Sequence, residues 1–522
     1  MMVANHNATR RDYFYLTLLT TAISIAALLF YFRHGAILLY GDATAHINIA
    51  RRVFDSRTPG LFQLGTVWLP LPHLLDIPFI LNDRMWRTGV GASIPSMAAY
   101  VAGALGIFQL LKTLASRAAV WAGALIYALN PNLLYMQTTA MTETLYLALM
   151  IWSVVFFSEF VQRRAEPATA RRALEKCALV VSAAMLVRYD GWFLAATIVL
   201  AMGITVWRFH LGSGPIRRGA ISFLLLTSLT AGVWLAYNHG RYGRALEFAI
   251  GPYSARAIMA RSLTETMPTY PGQNNLHDAA LYFLKVSRLT LGTGISETFL
   301  FTMAFIALLA MIYFSRRFLP LAMLWVPLVF YVLSIAWGSV PVYFPEWWPH
   351  SYYNVRYGLQ MLPAVAIFVA LAYEFARKFF PARYVTVALI ALVGFSYFSV
   401  WRTTPICLRE AIANGKDRLR LEQALAAELV KLPPSAVVMM DCGAHSGAAQ
   451  IAGIPFRRVL RESNPPEWEV GLTQPARAAD YVVAFQDDQV WRAVHLFHKD
   501  LVLVTIIAVP GQPRAYLFRS RH

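Results

Sequence analysis

The 522-residue chain is strongly apolar: 57% of its residues are hydrophobic, only 14% are charged, and its mean hydropathy is +0.48. This composition excludes an ordinary soluble globular protein and predicts a polytopic α-helical membrane protein. Three scattered cysteines exclude a disulfide framework and a cysteine-based zinc site, and the net charge of +18 must be judged by where the basic residues lie.

Eleven apolar stretches, each near the roughly 20 residues that a bilayer core requires, predict about eleven transmembrane helices. They lie near residues 13–32, 92–111, 118–136, 141–158, 176–190, 192–207, 219–237, 294–314, 319–337, 359–376 and 384–400. The first stretch follows Arg10 and Arg11 but offers no small-residue cleavage site. We therefore expect it to be a retained anchor and not a signal peptide.

Basic residues are unequally distributed between the two sides of this arrangement. With the N-terminus in the cytoplasm, the cytoplasmic edges and loops carry a net charge of +12, whereas the opposite side before residue 401 carries +3. The positive-inside rule then predicts a multi-pass protein of the inner or plasma membrane, with a cytoplasmic N-terminus and an extracytoplasmic C-terminal region. Because membrane topology accounts for the basic excess, no nucleic-acid partner is predicted.

The pattern changes after residue 400. Short β-rich runs, SAVVMMD, ADYVVAF and LVLVTIIAV, alternate with helix-like stretches. We expect a transmembrane domain over 1–400 and a small extracytoplasmic α/β domain over 401–522. The segment DCGAHSGAAQIAG lacks the Gly-x-Gly spacing and the Lys-Ser/Thr ending of a phosphate loop, so a tight strand-to-helix turn is the better interpretation.

Three outside loops are long, at 33–91, 238–293 and 338–358, whereas every inside loop is short. Ionisable residues lie where these loops meet the helices, and charges in such places are costly and usually mark a polar cavity. The candidates are Asp42, His46, Arg51, Glu143, Arg188, Asp190, Glu297 and Arg356, with Tyr357 beside the last. A transporter would more often place such groups near the bilayer midplane between repeats, and the sequence shows neither feature.

Several of these stretches together resemble a known superfamily. An acidic residue opens an amphipathic segment after the first helix (GDATAHINIARRVF), and TVWLPLPHLLDIP, RYDG at 188–191 and RYGLQMLP at 356–363 follow. They are similar to the GT-C integral-membrane glycosyltransferases, especially protein O-mannosyltransferase-like and lipid A aminoarabinose transferase-like enzymes. The resemblance implies a GT-C-like fold, a polyprenyl-phosphate sugar as donor, and a hydroxyl acceptor on protein, lipid or glycan. One departure is that Asp42 is followed by Ala43, where those families often have a second acidic residue.

The expected chemistry assigns roles to four of the candidates. Arg356, Arg188 and Arg51 are the predicted ligands of the donor phosphate, because a guanidinium binds phosphate oxygens in a bidentate manner. Asp42 is the predicted base for the acceptor hydroxyl, in a single displacement that inverts the anomeric centre. The further site candidates are His46, Glu143, Asp190, Tyr357 and Glu297. The sequence identifies no cofactor, and a divalent metal held by Asp42 and His46 is an open alternative.

Structural interpretations compete with these roles. Asp42 could cap its helix, and Glu143 could belong to a cap formed with the preceding threonines. Arg51 and Arg52 could hold an interfacial helix against lipid headgroups. The apolar stripe of that helix would consist of Ile47, Ala50 and Phe54. Asp190 could simply pair with Arg188, and the aromatic run 343–353 could lie in the interfacial belt. At the level of function, a transporter or flippase of a lipid-linked glycan and a non-catalytic membrane scaffold remain alternatives to the transferase.

Overall fold

A computed structural model describes residues 9–263, 267–314, 316–497 and 499–521. The chain is a multi-pass helical membrane protein that ends in a small mixed α/β unit. Within the described residues, nine helical stretches are long and apolar enough to cross a membrane. They are Arg10–Arg33, Val90–Leu111, Glu143–Gln162, Asp190–Arg208, Gly214–Tyr242, Ser296–Phe314, Pro320–Trp337, Val355–Ala376 and Ala382–Leu429.

Each of the eleven predicted segments coincides with helix, but the count of eleven spans is not confirmed. The segment 118–136 is divided into two helices, because Asn130 accepts hydrogen bonds from the amides of Asn132 and Leu133 and Pro131 begins a new helix. The segment 176–190 falls at the end of helix Pro167–Met185, whose first half is rich in charged residues. Neither segment meets the criteria of length and apolarity that the nine stretches satisfy.

The membrane part contains α1 to α18 in chain order. Their bounds are α1 Arg10–Arg33, α2 Gly41–Arg52, α3 Pro70–Ile80, α4 Asp83–Thr88, α5 Val90–Leu111, α6 Arg117–Ala128, α7 Pro131–Met136, α8 Glu143–Gln162, α9 Pro167–Met185, α10 Asp190–Arg208, α11 Gly214–Tyr242, α12 Glu247–Ile250, α13 Ala255–Ser262, α14 Leu276–Leu289, α15 Ser296–Phe314, α16 Val326–Trp337, α17 Leu362–Ala376 and α18 Ala382–Thr403. Short 3-10 helices occupy Leu61–Leu64, Arg316–Trp325 and Val355–Met361. The long loops are thus themselves partly helical.

The C-terminal part contains α19 Ile406–Leu429, α20 Gly447–Ala452, α21 Glu467–Thr473, α22 Pro475–Ala478 and α23 Gln489–Leu496. Its strands are β1 Val438–Met440, β2 Val459–Leu460, β3 Tyr481–Phe485, β4 Leu501–Ile507 and β5 Ala515–Ser520. They form one sheet in the order β2-β1-β3-β5-β4, with β1 parallel to β2 and β3, and β5 antiparallel to β3 and β4. The three predicted β-rich runs are β1, β3 and β4, whereas β2 and β5 were not predicted.

The C-terminal part packs directly on the first long loop. The Asn48 amide on α2 donates to Ser446 Oγ and Gln450 Oε1 at 3.1 and 3.0 Å, and Gln450 donates to the Trp86 carbonyl at 2.8 Å. On α19, Gly415 faces the backbone of Leu39 so closely that a methyl group there would clash with its carbonyl oxygen. The first loop and the tail therefore lie at the same end of the helical bundle.

Helix α2 is buried within this assembly. Ile47 and Ala50 are fully buried, and His46, Arg51 and Arg52 are also buried among protein groups. The helix is therefore held mainly by protein contacts and does not show the exposed polar face expected of a helix lying on a lipid surface.

Candidate active site

Arg356 lies at the centre of a cluster of carboxylates. Its position in the 3-10 helix Val355–Met361, just before α17, brings it to the end of the bundle where the first loop begins. Its Nη2 donates to Asp42 Oδ2 at 2.8 Å, its Nε to Glu143 Oε1 at 3.2 Å, and its Nη1 to Glu410 Oε1 at 3.2 Å. One guanidinium thus joins α2, α8 and α19.

Arg188 forms the second half of the cluster. It lies between α9 and α10, and its Nη1 donates to the same Glu143 oxygen at 3.1 Å. Its Nε lies 3.2 Å from Asp190 Oδ1, and its Nη2 donates to the Tyr331 hydroxyl at 2.9 Å. Tyr331 in turn donates to Asp190 Oδ2 at 2.9 Å. Glu143 therefore bridges the two arginines.

Aromatic rings enclose the two guanidinium groups. Arg356 lies over the rings of Tyr40 and Tyr357 at 5.3 and 5.1 Å, and Arg188 lies over the Tyr357 ring at 5.0 Å. These distances are within the range of cation–π attraction. Burial raises the pKa of the Tyr40 hydroxyl, so it stays protonated and donates to Glu410 Oε2 at 2.8 Å. The rings help to hold both guanidinium groups beside the carboxylates that they contact.

Exposure distinguishes Asp42 from the other carboxylates. The Asp42 side chain is 42% exposed, whereas those of Glu143 and Glu410 are 1% exposed and that of Asp190 is 2% exposed. Its carboxylate neither caps nor begins the helix, because Tyr40 is the residue that precedes the first turn and no side chain caps it. The capping interpretation of Asp42 is therefore wrong, and Asp42 is the most exposed carboxylate of the cluster.

Six of the nine predicted site residues come together here: Asp42, Glu143, Arg188, Asp190, Arg356 and Tyr357. The structural pairing of Asp190 with Arg188 is also present, but it belongs to this larger network. Helix α8 begins without a side-chain cap, so Glu143 acts as an acceptor for arginine and not as part of a cap. Sequence reasoning missed Glu410, Tyr40 and Tyr331, which complete the network.

Arg51 lies outside the cluster. Its Nε pairs with Asp55 Oδ2 at 2.8 Å, its Nη2 with Asp83 Oδ1 at 2.8 Å, and its Nη1 donates to the Ile80 carbonyl at 2.9 Å. The Trp86 ring covers the guanidinium at 4.4 Å. These contacts hold the first loop together, and they support neither the predicted donor-phosphate role nor the headgroup role.

Glu297 is also remote from the cluster's hydrogen bonds. It accepts from Lys285 Nζ at 2.6 Å, in an ion pair between α14 and α15 that is nearly buried. This pair links the second long loop to the membrane helices.

His46 faces a second histidine and not the carboxylates. Its Nδ1 lies 2.8 Å from His73 Nε2, and both rings are buried. Burial lowers the pKa of His46 to about 4, so the imidazole is neutral at physiological pH. Within the described parts of the chain, no three His, Cys, Asp or Glu side chains come together in a way that could hold a metal ion.

Solved structures of other proteins share this arrangement of helices. No protein-family model matches the sequence, and no curated protein has a significantly similar sequence. ArnT from Cupriavidus metallidurans bound to undecaprenyl phosphate is 13% identical, with a TM-score of 0.60 over 96% of this chain and 97% of that one. Its apo state gives 14% identity and a TM-score of 0.61 over the same shares. The chain therefore shares its fold with these ArnT structures.

A second GT-C structure is similar over less of its length. The Archaeoglobus fulgidus oligosaccharyltransferase, in complex with Zn and sulfate, is 12% identical and has a TM-score of 0.51 over 96% of this chain and 72% of that one. The expected GT-C-like fold with a small C-terminal sheet unit is therefore confirmed.

Proposed function

We propose that the chain is a membrane glycosyltransferase that moves a sugar from a polyprenyl-phosphate donor to a hydroxyl acceptor on the extracytoplasmic side. The observation that carries the proposal is the exposed Asp42 carboxylate, held 2.8 Å from a buried arginine at one end of the bundle. The GT-C fold supports the reaction class, and the undecaprenyl phosphate bound to ArnT supports the donor class. Neither identifies the sugar or the acceptor.

Asp42 would act as the base in a single displacement. Its free oxygen takes the proton of the acceptor hydroxyl while the acceptor oxygen bonds to the anomeric carbon, and the bond from that carbon to the phosphate oxygen breaks. The leaving phosphate takes the electron pair and is already a stable anion, so it needs no strong acid. The attack from the opposite face inverts the anomeric centre.

Arg356 would position Asp42 in this scheme. Each of its three guanidinium nitrogens donates to a different carboxylate, so Arg356 fixes the positions of these carboxylates relative to one another. Direct binding of the donor phosphate by Arg356 or Arg188 remains a prediction, and it requires the phosphate to replace a carboxylate on one of these nitrogens. The scheme assigns no step to a metal ion.

Two arguments support the extracytoplasmic side. The charge distribution favours a cytoplasmic N-terminus, which places the first loop outside. The tail contacts this loop through Asn48 and Gln450, so the two must face the same compartment.

The test compares Asp42→Asn with the wild type on a panel of undecaprenyl-phosphate sugars, following release of undecaprenyl phosphate. The Asn side chain can still accept from Arg356, but it cannot take a proton, so turnover should fall roughly a hundredfold or more. Asp83→Asn is the matched control, since Asp83 is an exposed carboxylate of the same loop that pairs with Arg51. Near wild-type turnover of folded Asp42→Asn would refute the role of Asp42 as base.

A further inference from the structure

A second cluster of charged groups lies where α2 meets the C-terminal sheet. Arg461 and Glu462 follow β2, Asp441 and Cys442 follow β1, and Arg52 ends α2. β1 and β2 are parallel, so these residues lie at the carboxyl ends of adjacent strands, which is where sheets of this kind usually bind ligands. The cluster shares no residue with the site around Asp42.

Two arginines in this cluster are buried with unused hydrogen-bond donors. The Arg461 side chain is 3% exposed, and its Nη2 donates to Glu462 Oε1 at 2.7 Å. Its Nε and Nη1 have no hydrogen-bond partner among the described residues. Arg52 donates through Nη2 to the Gln63 carbonyl at 2.8 Å, and its buried Nε likewise has no partner in the described chain.

The neighbouring acceptors are largely occupied. Glu462 uses Oε1 for Arg461 and Oε2 for the Cys442 amide at 3.0 Å, and Asp441 Oδ1 accepts from the Gly443 amide at 2.8 Å. Gln63 Oε1 has no hydrogen-bond partner among the described residues, and the carbonyl of the same residue accepts from Arg52. The two unused nitrogens of Arg461 therefore carry the argument, since buried unpaired donors are costly and rare.

The charges of the two arginines interact. Burial, together with the positive charge of Arg461, lowers the pKa of Arg52 to about 10. Burial alone would raise the pKa of Glu462, but Arg461 and the Cys442 amide more than offset this effect and lower it. Asp441 has a pKa raised by burial and by the charge of Glu462. What the cluster lacks is thus an acceptor for the unused nitrogens, Nε and Nη1 of Arg461 and Nε of Arg52.

We propose that Arg52 and Arg461 form a second anion site, distinct from the site around Asp42, that takes a phosphoryl group. A phosphoryl group presents several acceptor oxygens and negative charge, which suits guanidinium donors from two directions. Burial, together with the charges of Glu462 and Asp441, raises the pKa of the Tyr253 phenol on the second long loop.

The position of the site limits what the ligand could be. Arg52 lies ten residues after Asp42 on one helix, which is about 15 Å along the helix axis. A phosphoryl group here is too far from Asp42 to be the one that leaves the donor sugar. It belongs either to a soluble phosphorylated molecule or to the headgroup of a membrane lipid.

The test measures binding without donor sugar or turnover, so its result is independent of the proposed transferase activity. Purified full-length protein in phosphatidylcholine nanodiscs is titrated with inorganic phosphate and pyrophosphate, and the midpoint of thermal unfolding is followed. A parallel series replaces part of the phosphatidylcholine with phosphatidylglycerol. Arg461→Met and Arg52→Met remove one charge each at similar side-chain length, and Arg477→Met is the matched control, since Arg477 is an exposed arginine of the same C-terminal part.

We expect wild type and Arg477→Met to be stabilised, and the apparent dissociation constant to rise at least tenfold in Arg461→Met and Arg52→Met. Stabilisation by soluble phosphate identifies a free phosphorylated ligand, and stabilisation by phosphatidylglycerol alone identifies a headgroup. Arg461→Lys should bind more weakly than wild type but better than Arg461→Met, and it decides the question if Arg461→Met does not fold. The proposal is overturned if neither phosphate nor phosphatidylglycerol stabilises the wild type, or if the effect is equal in all arginine variants.

Discussion

Removing Arg356 should destabilise the protein as well as impair the site. Arg356→Ala removes the arginine that pairs with Glu410, whose side chain is 1% exposed, while Glu143 keeps Arg188. Breaking a buried ion pair on one side typically costs 3–5 kcal/mol. With an unfolding entropy typical for a chain of this length, that cost lowers the melting temperature by about 3–5 °C.

A double-substitution cycle in nanodiscs tests this reasoning. Adding Glu410→Gln to Arg356→Ala removes the uncompensated charge, and the amide can still accept from Tyr40, so the double variant should regain about 1–3 kcal/mol over Arg356→Ala. Arg420→Ala is the matched control on α19, because its pair with Asp417 is exposed and such pairs contribute little. Arg356→Lys should retain part of the activity, since an ammonium cannot reproduce the three-way fork. A double variant no more stable than Arg356→Ala would refute the charge argument.

Three further outcomes are expected. An impermeant maleimide applied to intact cells should label Leu496→Cys, which lies exposed in the C-terminal part, but not Ala165→Cys, which lies in a loop predicted to be cytoplasmic. The reverse pattern would contradict the topology. Burial lowers the pKa of His46 to about 4, so between pH 6.5 and 4 this histidine takes up a proton in the unfolded state but not in the folded state. The free energy of unfolding should therefore fall by about 3 kcal/mol as the pH drops through this range. His46→Gln should remove that part of the loss, and an unchanged pH profile of the melting temperature would argue against a neutral buried imidazole. Gly415→Ala should lower both stability and turnover because its methyl group would push α19 from the Leu39 backbone, whereas Gly394→Ala, which has open space around it, should be neutral by both measurements.

The sequence was sufficient to find most of the cluster around Arg356. Ionisable residues stand out at the ends of apolar stretches, where their cost requires a reason. Glu143, Arg188 and Arg356 were found in this way. Which of them pair, however, depends on contacts such as that between Arg356 and Glu143, which are 213 positions apart in the chain.

Glu410 was missed because it is not an isolated charged residue in an apolar stretch. It lies among many charged residues on α19, a helix with the composition of a soluble surface helix. Tyr40 was missed for a related reason, since a tyrosine just beyond a transmembrane helix is ordinarily an interfacial residue. The count of eleven spans is not confirmed at two places: Asn130 interrupts an apolar run and caps a new helix, and α9 is amphipathic.

The contacts of Glu410 also bear on how the chain divides into functional parts. A boundary at residue 400, as composition suggests, would separate Glu410 from the arginine and the tyrosine that it contacts. Glu410 accepts hydrogen bonds from Tyr40, from Arg356 and from the backbone amide of Val355, so its carboxylate helps to fix the 3-10 helix that carries Arg356. Helix α19 also donates through Arg418 to the carbonyl of Leu38 at 2.7 Å, immediately before α2. Because these contacts position the segment that bears Asp42, we propose that the catalytic unit extends through α19 to Leu429, and that the sheet unit begins only at β1.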